Sequence, residues 1–379
     1  MDVTLITPPA WSPQDAPPFD PQSVTLVPVP YVTFPFANRR GTTILDRSTA
    51  YPLFGMRAGR VAGALAERGA VDIVHGFGAS VLGYASARLR VGVPLVVNPQ
   101  GLEEFGATGG QPRLKHAAYW PLRRAVLATT RAADAIIATD RALVPALTRH
   151  LQPRPDQVRV IPNGIDLASV EGLAHAGDGQ RLRARHRIGP GEIVLLSAGR
   201  LEANKGFDDL AAALARVATG SGPLARSTWR WVLVGSGPFA GEIERAVHAH
   251  GLTDRVFFAG RASEADLHAW YEAATLFVHP TRYEGSSLVT LEAMAHRRAV
   301  VATRAGGLPD KVRPGTNGWL VEPGDVTALA TTIDDALSNL ARLTTMGEAG
   351  HAIVAREFAW SVLVDAQLAL YDELRLRRA

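Results

Sequence analysis

Short apolar runs rich in β-branched residues alternate along the chain with stretches in which apolar positions recur every three to four residues. This switching between a period near two and a period near 3.6 marks βα units that feed a parallel sheet. The runs fall at residues 3–7, 24–29, 72–76, 94–98, 135–139 and 158–162, and again at 192–198, 229–235, 256–260, 275–280 and 299–303. The rhythm breaks once, after Ile161-Pro162-Asn163-Gly164-Ile165-Asp166, where a polar, glycine-containing stretch extends to about residue 191. Two βα sets divided there predict an α/β chain of two doubly wound domains with a cleft between them. Ligands are expected beyond the carboxyl ends of the strands. The expected division is 1–165, 166–357 and a terminal helix at 358–379. The proline-rich segment 8–21 reads as a long loop at the cleft mouth.

Composition narrows the classes. With 379 residues, 47% of them hydrophobic and 20% charged, the chain can bury a core in each domain. The absence of cysteine removes disulfide frameworks, thiolate metal sites and cysteine nucleophiles, and suits a reducing compartment. No apolar run approaches the ~18 residues that span a bilayer. Asp2 stands where a secretory signal carries positive charge, so a cytoplasmic location is expected.

The 40 Lys+Arg exceed the 36 Asp+Glu unevenly. Residues 1–165 hold 17 cations against 11 anions, and the remainder 23 against 25. A basic first half favours an anionic partner, either phospholipid head groups or a phosphorylated acceptor; scattered solvated arginines give the same balance. Only three of the cations are lysines, Lys115, Lys205 and Lys311, and this arginine-rich composition gives no argument for nucleic acid.

The sharpest local pattern is Tyr283-Glu284-Gly285-Ser286-Ser287-Leu288-Val289-Thr290-Leu291-Glu292. A strand ends in a polar turn and a helix begins near Ser286 or Ser287, either of which can act as N-cap. The free amides of Ser287 and Leu288 then form an anion site at the sheet edge. Glu284 lies just outside that helix and Glu292 about one turn inside, so the two carboxylates can address opposite ends of a phosphorylated ligand. A plain turn residue and a solvated helix residue would give the same spacing.

In Gly199-Arg200-Leu201-Glu202-Ala203-Asn204-Lys205-Gly206, Arg200 and Lys205 occupy a strand-to-helix loop where they can neutralise a diphosphate without a metal ion. No Asp-x-Asp pair is present to carry a divalent cation. A third segment, Gly235-Ser236-Gly237-Pro238-Phe239-Ala240-Gly241, imitates a dinucleotide-binding loop. Its spacing is wrong and no acidic residue follows at the required distance, so it reads as a tight turn near the nucleotide.

These segments, with Phe258-Ala259-Gly260-Arg261, Ala305-Gly306-Gly307-Leu308-Pro309-Asp310 and Asn317-Gly318-Trp319-Leu320-Val321, resemble the retaining family 4 glycosyltransferases of GT-B fold. The resemblance is dense between residues 158 and 325. It implies two Rossmann-like domains, the first binding the acceptor and the second a nucleotide-diphosphate sugar (UDP, GDP or other), with the terminal helix crossing back to the first. It further implies Arg200 and Lys205 on the diphosphate, Glu292 on the ribose and Glu284 on the transferred sugar. Gly285, Ser286, Ser287, Leu288, Gly235 and Arg261 would complete the donor site. No metal or other cofactor is implied, and the anomeric configuration is retained by front-face attack. The acceptor class is a glycan, a lipid-linked sugar or a small molecule, as in polysaccharide and cell-envelope synthesis at the inner face of the plasma membrane.

The first domain departs from the family twice. Thr7-Pro8-Pro9-Ala10-Trp11 lacks the usual paired glycines, and Gln100 in Asn98-Pro99-Gln100-Gly101-Leu102-Glu103-Glu104 replaces a common histidine. Gln100 can donate a hydrogen bond but cannot protonate. His75, Glu103 and Glu104 are the other acceptor-side candidates, although His75 also reads as a core histidine. The segment 31–36 with Arg39, Arg40, Arg57, Arg60, Arg123 and Arg124 is expected to read the acceptor. The alternative reading, an inactive homologue that binds nucleotide sugars as a regulator, draws only on these departures.

Overall fold

A computed structural model describes residues 1–9, 23–33, 42–106 and 117–377. The chain divides into two compact units, one of Met1–Ile161 with Gln367–Ala379 and one of Pro162–Ala366. Most of the loop 8–21, together with Phe36, Arg39, Arg40 and Lys115, lies outside the described residues.

In the first unit, β1 (Val3–Thr7) and β2 (Val24–Pro28) form a parallel pair, while β3 (Val74–Phe77), β4 (Leu95–Asn98), β5 (Ala135–Ala138) and β6 (Val158–Val160) form a parallel sheet in sequence order. Every residue of β4 and β5 is buried, because helices cover both faces of the sheet. One layer packs Leu95, Val97 and Ile136 against Leu122, Val126 and Leu147. On the other face Leu370 and Leu374, from the C-terminal end of the helix Trp360–Leu376, join Val96, Ala135 and Ile137. The helices Thr42–Glu67 and Leu82–Val91 approach so closely that a Cβ on Gly83 would lie 2.1 Å from the Met56 carbonyl oxygen.

The second unit is built on six parallel strands, β7 (Ile193–Ala198), β8 (Trp229–Val234), β9 (Val256–Gly260), β10 (Leu276–His279), β11 (Val300–Thr303) and β12 (Gly318–Val321). Their spatial order is β12-β11-β10-β7-β8-β9. Along β7, Ile193 and Leu195 enter one core layer while Val194, Leu196 and Ala198 enter the other, which is why the strand is apolar but for the buried Ser197, whose Oγ donates to the Val278 carbonyl. Strand order runs outward in both directions from β7 and β10, so the chain leaving β7 proceeds toward one edge of the sheet and the chain leaving β10 toward the other. This reversal is where an open α/β sheet offers a ligand crevice. β12 does not stand out in the apolar pattern, being a four-residue edge strand that begins with glycine and is only partly buried.

Candidate functional site

At the reversal point the loops after β7 and β10 are locked together. Gly206 has φ +65°, and a Cβ there would lie 2.2 Å from the Pro280 carbonyl oxygen. The Asn204 carbonyl accepts hydrogen bonds from Arg282 N and Thr281 Oγ1, at 2.7 and 2.9 Å. Arg282 in turn is held by Asp208, Asp209 and the Ala203 carbonyl. A neighbouring contact joins the loops after β7 and β8, where a Cβ on Gly235 (φ +142°) would fall 1.8 Å from the Gly199 carbonyl oxygen. Segment 235–241 is thus a tight turn packed on the Arg200 loop, with Leu201 N donating to the Ser236 carbonyl.

These locks bring Lys205 to Glu284, Nζ to Oε2 at 2.7 Å, with both side chains mostly buried. His279, the fully buried last residue of β10, puts Nε2 2.8 Å from the same oxygen. Burial pushes the Glu284 carboxyl up, but the His279 hydrogen bond and the Lys205 charge more than offset it and hold the group down at about 2. Burial lowers the His279 pKa, so the ring is neutral near pH 7 and donates through Nε2.

The next residues form the turn into the following helix. Ser287 is the N-cap of the helix Leu288–Ala295, its Oγ accepting from Thr290 N, so the cap falls on the second serine of the pair. Gly307 N donates to the Gly285 carbonyl at 3.0 Å, and Lys311 Nζ donates to Ser286 Oγ at 3.0 Å. Leu288 is exposed at the first helical position. One turn on, Glu292 is half-buried and accepts a 2.8 Å hydrogen bond from the fully buried Tyr271 hydroxyl. Burial raises the Glu292 pKa, the opposite of Glu284. The Tyr271 ring is stacked on His296, whose Nε2 is 2.7 Å from His268 Nδ1.

Lys205 and Glu284 therefore meet directly. Arg200 remains 79% exposed at its side chain and pairs with Glu202, and Arg261 is exposed. The sequence pattern does not single out His279, Tyr271 or Lys311. His279 carries a readable sign, a titratable residue closing an apolar strand, whereas the partnerships of Tyr271 and Lys311 emerge only on folding.

In the first unit, Gln100 is exposed at φ +62° with its N–H on Asn98 Oδ1, and the buried Leu102 also has a positive φ of 56°. Two non-glycine residues in this region store strain at the carboxyl end of β4. Glu103 pairs with Arg47 at 2.9 Å, and Glu104 is buried, which raises its pKa. His75 is half-buried, with Nδ1 2.7 Å from the Tyr371 hydroxyl and its ring stacked on Phe77. Burial lowers its pKa to about 4. Among the described residues no helix is long and apolar enough to cross a membrane.

A family model described as Glycosyltransferase Family 4 matches residues 1–169, and one described as Glycosyl transferases group 1 matches residues 192–339. The chain is 33% identical over 321 residues to D-inositol 3-phosphate glycosyltransferase 1 of Catenulispora acidiphila, covering 82% of this chain and 74% of that protein. It is also 33% identical over 273 residues to the lipopolysaccharide core biosynthesis mannosyltransferase LpcC of Rhizobium leguminosarum bv. viciae, covering 69% and 68%. Sucrose-phosphate synthase from Thermosynechococcus elongatus superposes with a TM-score of 0.75 at 25% identity, over 98% of this chain and 88% of that one. Anabaena HepE, solved with UDP, shares the fold at a TM-score of 0.70 and 21% identity, over 93% and 87%. The chain belongs to the family 4, group 1 glycosyltransferases and has the GT-B fold, two Rossmann-like units on parallel sheets.

Proposed function

We propose that the protein transfers a sugar from a nucleoside-diphosphate sugar to an acceptor hydroxyl, with retention at the anomeric carbon and without a metal ion. The observation that carries this reading is the buried Lys205–Glu284–His279 cluster beside the capped N-terminus of Leu288–Ala295. In this reading the helix amides and Lys205 take the diphosphate, joined by Arg200 once the donor draws it from Glu202. Glu292 accepts from the ribose hydroxyls, and Gly235 and Arg261 lie on the nucleotide side.

Glu284 stays ionised at neutral pH, so its role is to accept hydrogen bonds from the sugar hydroxyls rather than to supply a proton. The acceptor proton then passes to a donor phosphate oxygen as the acceptor oxygen bonds C1 on the face that the nucleoside diphosphate leaves. Products are the glycoside, the nucleoside diphosphate and one proton. Gln100, Glu103 and Glu104 are the acceptor-side residues, with Gln100 orienting the nucleophile.

The basic first 165 residues suit an acceptor that carries phosphate or another anion, whether a small phosphorylated polyol, as the names of the inositol-phosphate relatives suggest, or a lipid-linked glycan. A lipid-linked acceptor entails peripheral contact with the anionic inner face of the plasma membrane. The test is a thermal-shift panel of UDP, GDP and ADP sugars in EDTA, followed by NMR of the product anomer. A donor at a hundred times its dissociation constant stabilises by ~2.7 kcal/mol. Release of nucleoside diphosphate by slow donor hydrolysis separates an enzyme from a binding-only homologue. Inverted product, or activity abolished by EDTA, overturns the reading.

A further inference from the structure

Of the three lysines in the chain, two converge on one turn. Lys205 reaches Glu284; Lys311 reaches Ser286 and is only 1% exposed. A fully buried ammonium is rare, since desolvating it is costly unless hydrogen bonds compensate. Lys311 donates to Ser286 Oγ at 3.0 Å, and its Nζ sits 5.8 Å from the centre of the Phe358 ring.

The backbone beneath it is pinned. The fully buried Asn317 donates through Nδ2 to the Lys311 carbonyl at 3.0 Å and accepts through Oδ1 from Arg313 N at 2.6 Å. The residues just before Lys311 grip the same turn through main chain. A Cβ on Gly306 would lie 1.7 Å from the Glu284 carbonyl oxygen, and Gly307 N binds the Gly285 carbonyl. Segment 306–311 therefore holds Glu284, Gly285 and Ser286 in succession, the first two through backbone and the third through a charged side chain. A hydrophobic residue of similar length would fill that volume without a buried charge. The charge is also felt across the site, since Lys311 together with Lys205 helps keep the buried His279 neutral.

We propose that Lys311 is a positioning residue of the donor site. It fixes the Ser286 side chain and adds a positive charge beside the amides that receive the diphosphate, so the turn is preset for an anion before the donor arrives. This rests on the donor reading given above. A residue that only filled space would support the nucleoside and the diphosphate parts of the ligand equally. A charge beside the phosphates acts on the diphosphate alone.

The experiment compares binding of the nucleoside diphosphate selected by the thermal-shift panel with binding of the corresponding free nucleoside, by calorimetry on the full chain. In Lys311→Met the diphosphate affinity is expected to fall at least tenfold while nucleoside affinity changes less than twofold. Equal losses for both ligands, or no loss for either, overturn the proposal. Should Lys311→Met fail to fold, Ser286→Ala decides. It keeps the ammonium but removes its hydroxyl, and is expected to weaken the diphosphate at least threefold with the nucleoside unchanged; any other pattern is negative. If the unmodified protein binds no nucleoside diphosphate, the donor reading falls and this inference with it. If it binds one and the variants behave like the parent, only the inference falls.

Discussion

Lys205 Nζ lies 2.7 Å from Glu284 Oε2, joining the loops that leave adjacent strands β7 and β10 at the point where strand order reverses. The pair is 79 residues apart in sequence and rests on close backbone contact, Gly206 against the Pro280 carbonyl. In the proposed reaction this buried cation and anion exchange partners, Lys205 toward a phosphate and Glu284 toward a sugar hydroxyl. Removing either leaves the other buried without its main counter-charge.

Lys205→Ala and Glu284→Ala are each expected to lower kcat/KM at least a hundredfold, about 2.7 kcal/mol of transition-state stabilisation. Steady-state kinetics on both variants, with circular dichroism to verify the fold, checks this. Near-normal turnover in both would remove the pair from the site.

The depressed Glu284 pKa makes stability depend on acid. A carboxyl whose folded pKa lies below its ordinary value of 4.5 contributes stability above that value and loses it as pH falls toward the folded value, here about 2. The contribution is on the order of 3 kcal/mol when complete. Glu284→Gln should therefore be less stable than the parent near pH 7, with the gap closing between about pH 4.5 and 2. Urea titrations at stepped pH measure it, and a pH-independent gap would mean that the carboxylate is not held ionised by Lys205 and His279.

The strands and their order of appearance are legible in the apolar rhythm because a doubly covered parallel sheet demands continuous burial, as β7 and β10 show. β12 escapes because an edge strand needs burial on fewer sides, and Gly318-Trp319-Leu320-Val321 is partly exposed at its two central residues. Glu284 and Lys205 stand out as candidates from their loops at the strands' carboxyl ends, and Glu292 from its place about one turn into the helix that follows. Their supports do not. Tyr271 reaches Glu292 from a different helix, and Lys311 reaches Ser286 only because Gly306 and Gly307 let their segment press against Glu284 and Gly285. Nothing in local spacing encodes those approaches.

Tyr271 donates to one oxygen of Glu292; in the proposed site the other accepts from the ribose. Tyr271→Phe keeps the ring stacked on His296 but frees the carboxylate to rotate. Its nucleotide affinity should drop by about 1 to 2 kcal/mol, roughly five- to thirtyfold. Discrimination against the 2′-deoxynucleotide should narrow with it. Calorimetry with both nucleotides provides the check, and undiminished discrimination would separate Glu292 from the ribose.

Gln100 holds a left-handed backbone, φ +62°, that costs a residue with a Cβ about 1 kcal/mol or more. Strain kept at the carboxyl end of β4 makes sense if the side chain is needed there. Gln100→Gly relieves the strain yet adds chain entropy to the unfolded state, so its stability should stay within about 1 kcal/mol of the parent. Transfer to the acceptor should fall at least tenfold, while donor affinity and slow donor hydrolysis persist, because Gln100 belongs to the unit built on β3–β6 and not to the Lys205–Glu284 cluster. Measuring transfer and hydrolysis on the same preparation distinguishes the two roles. If both fall together, Gln100 acts on the donor; if neither falls, its left-handed backbone serves the β4 loop alone.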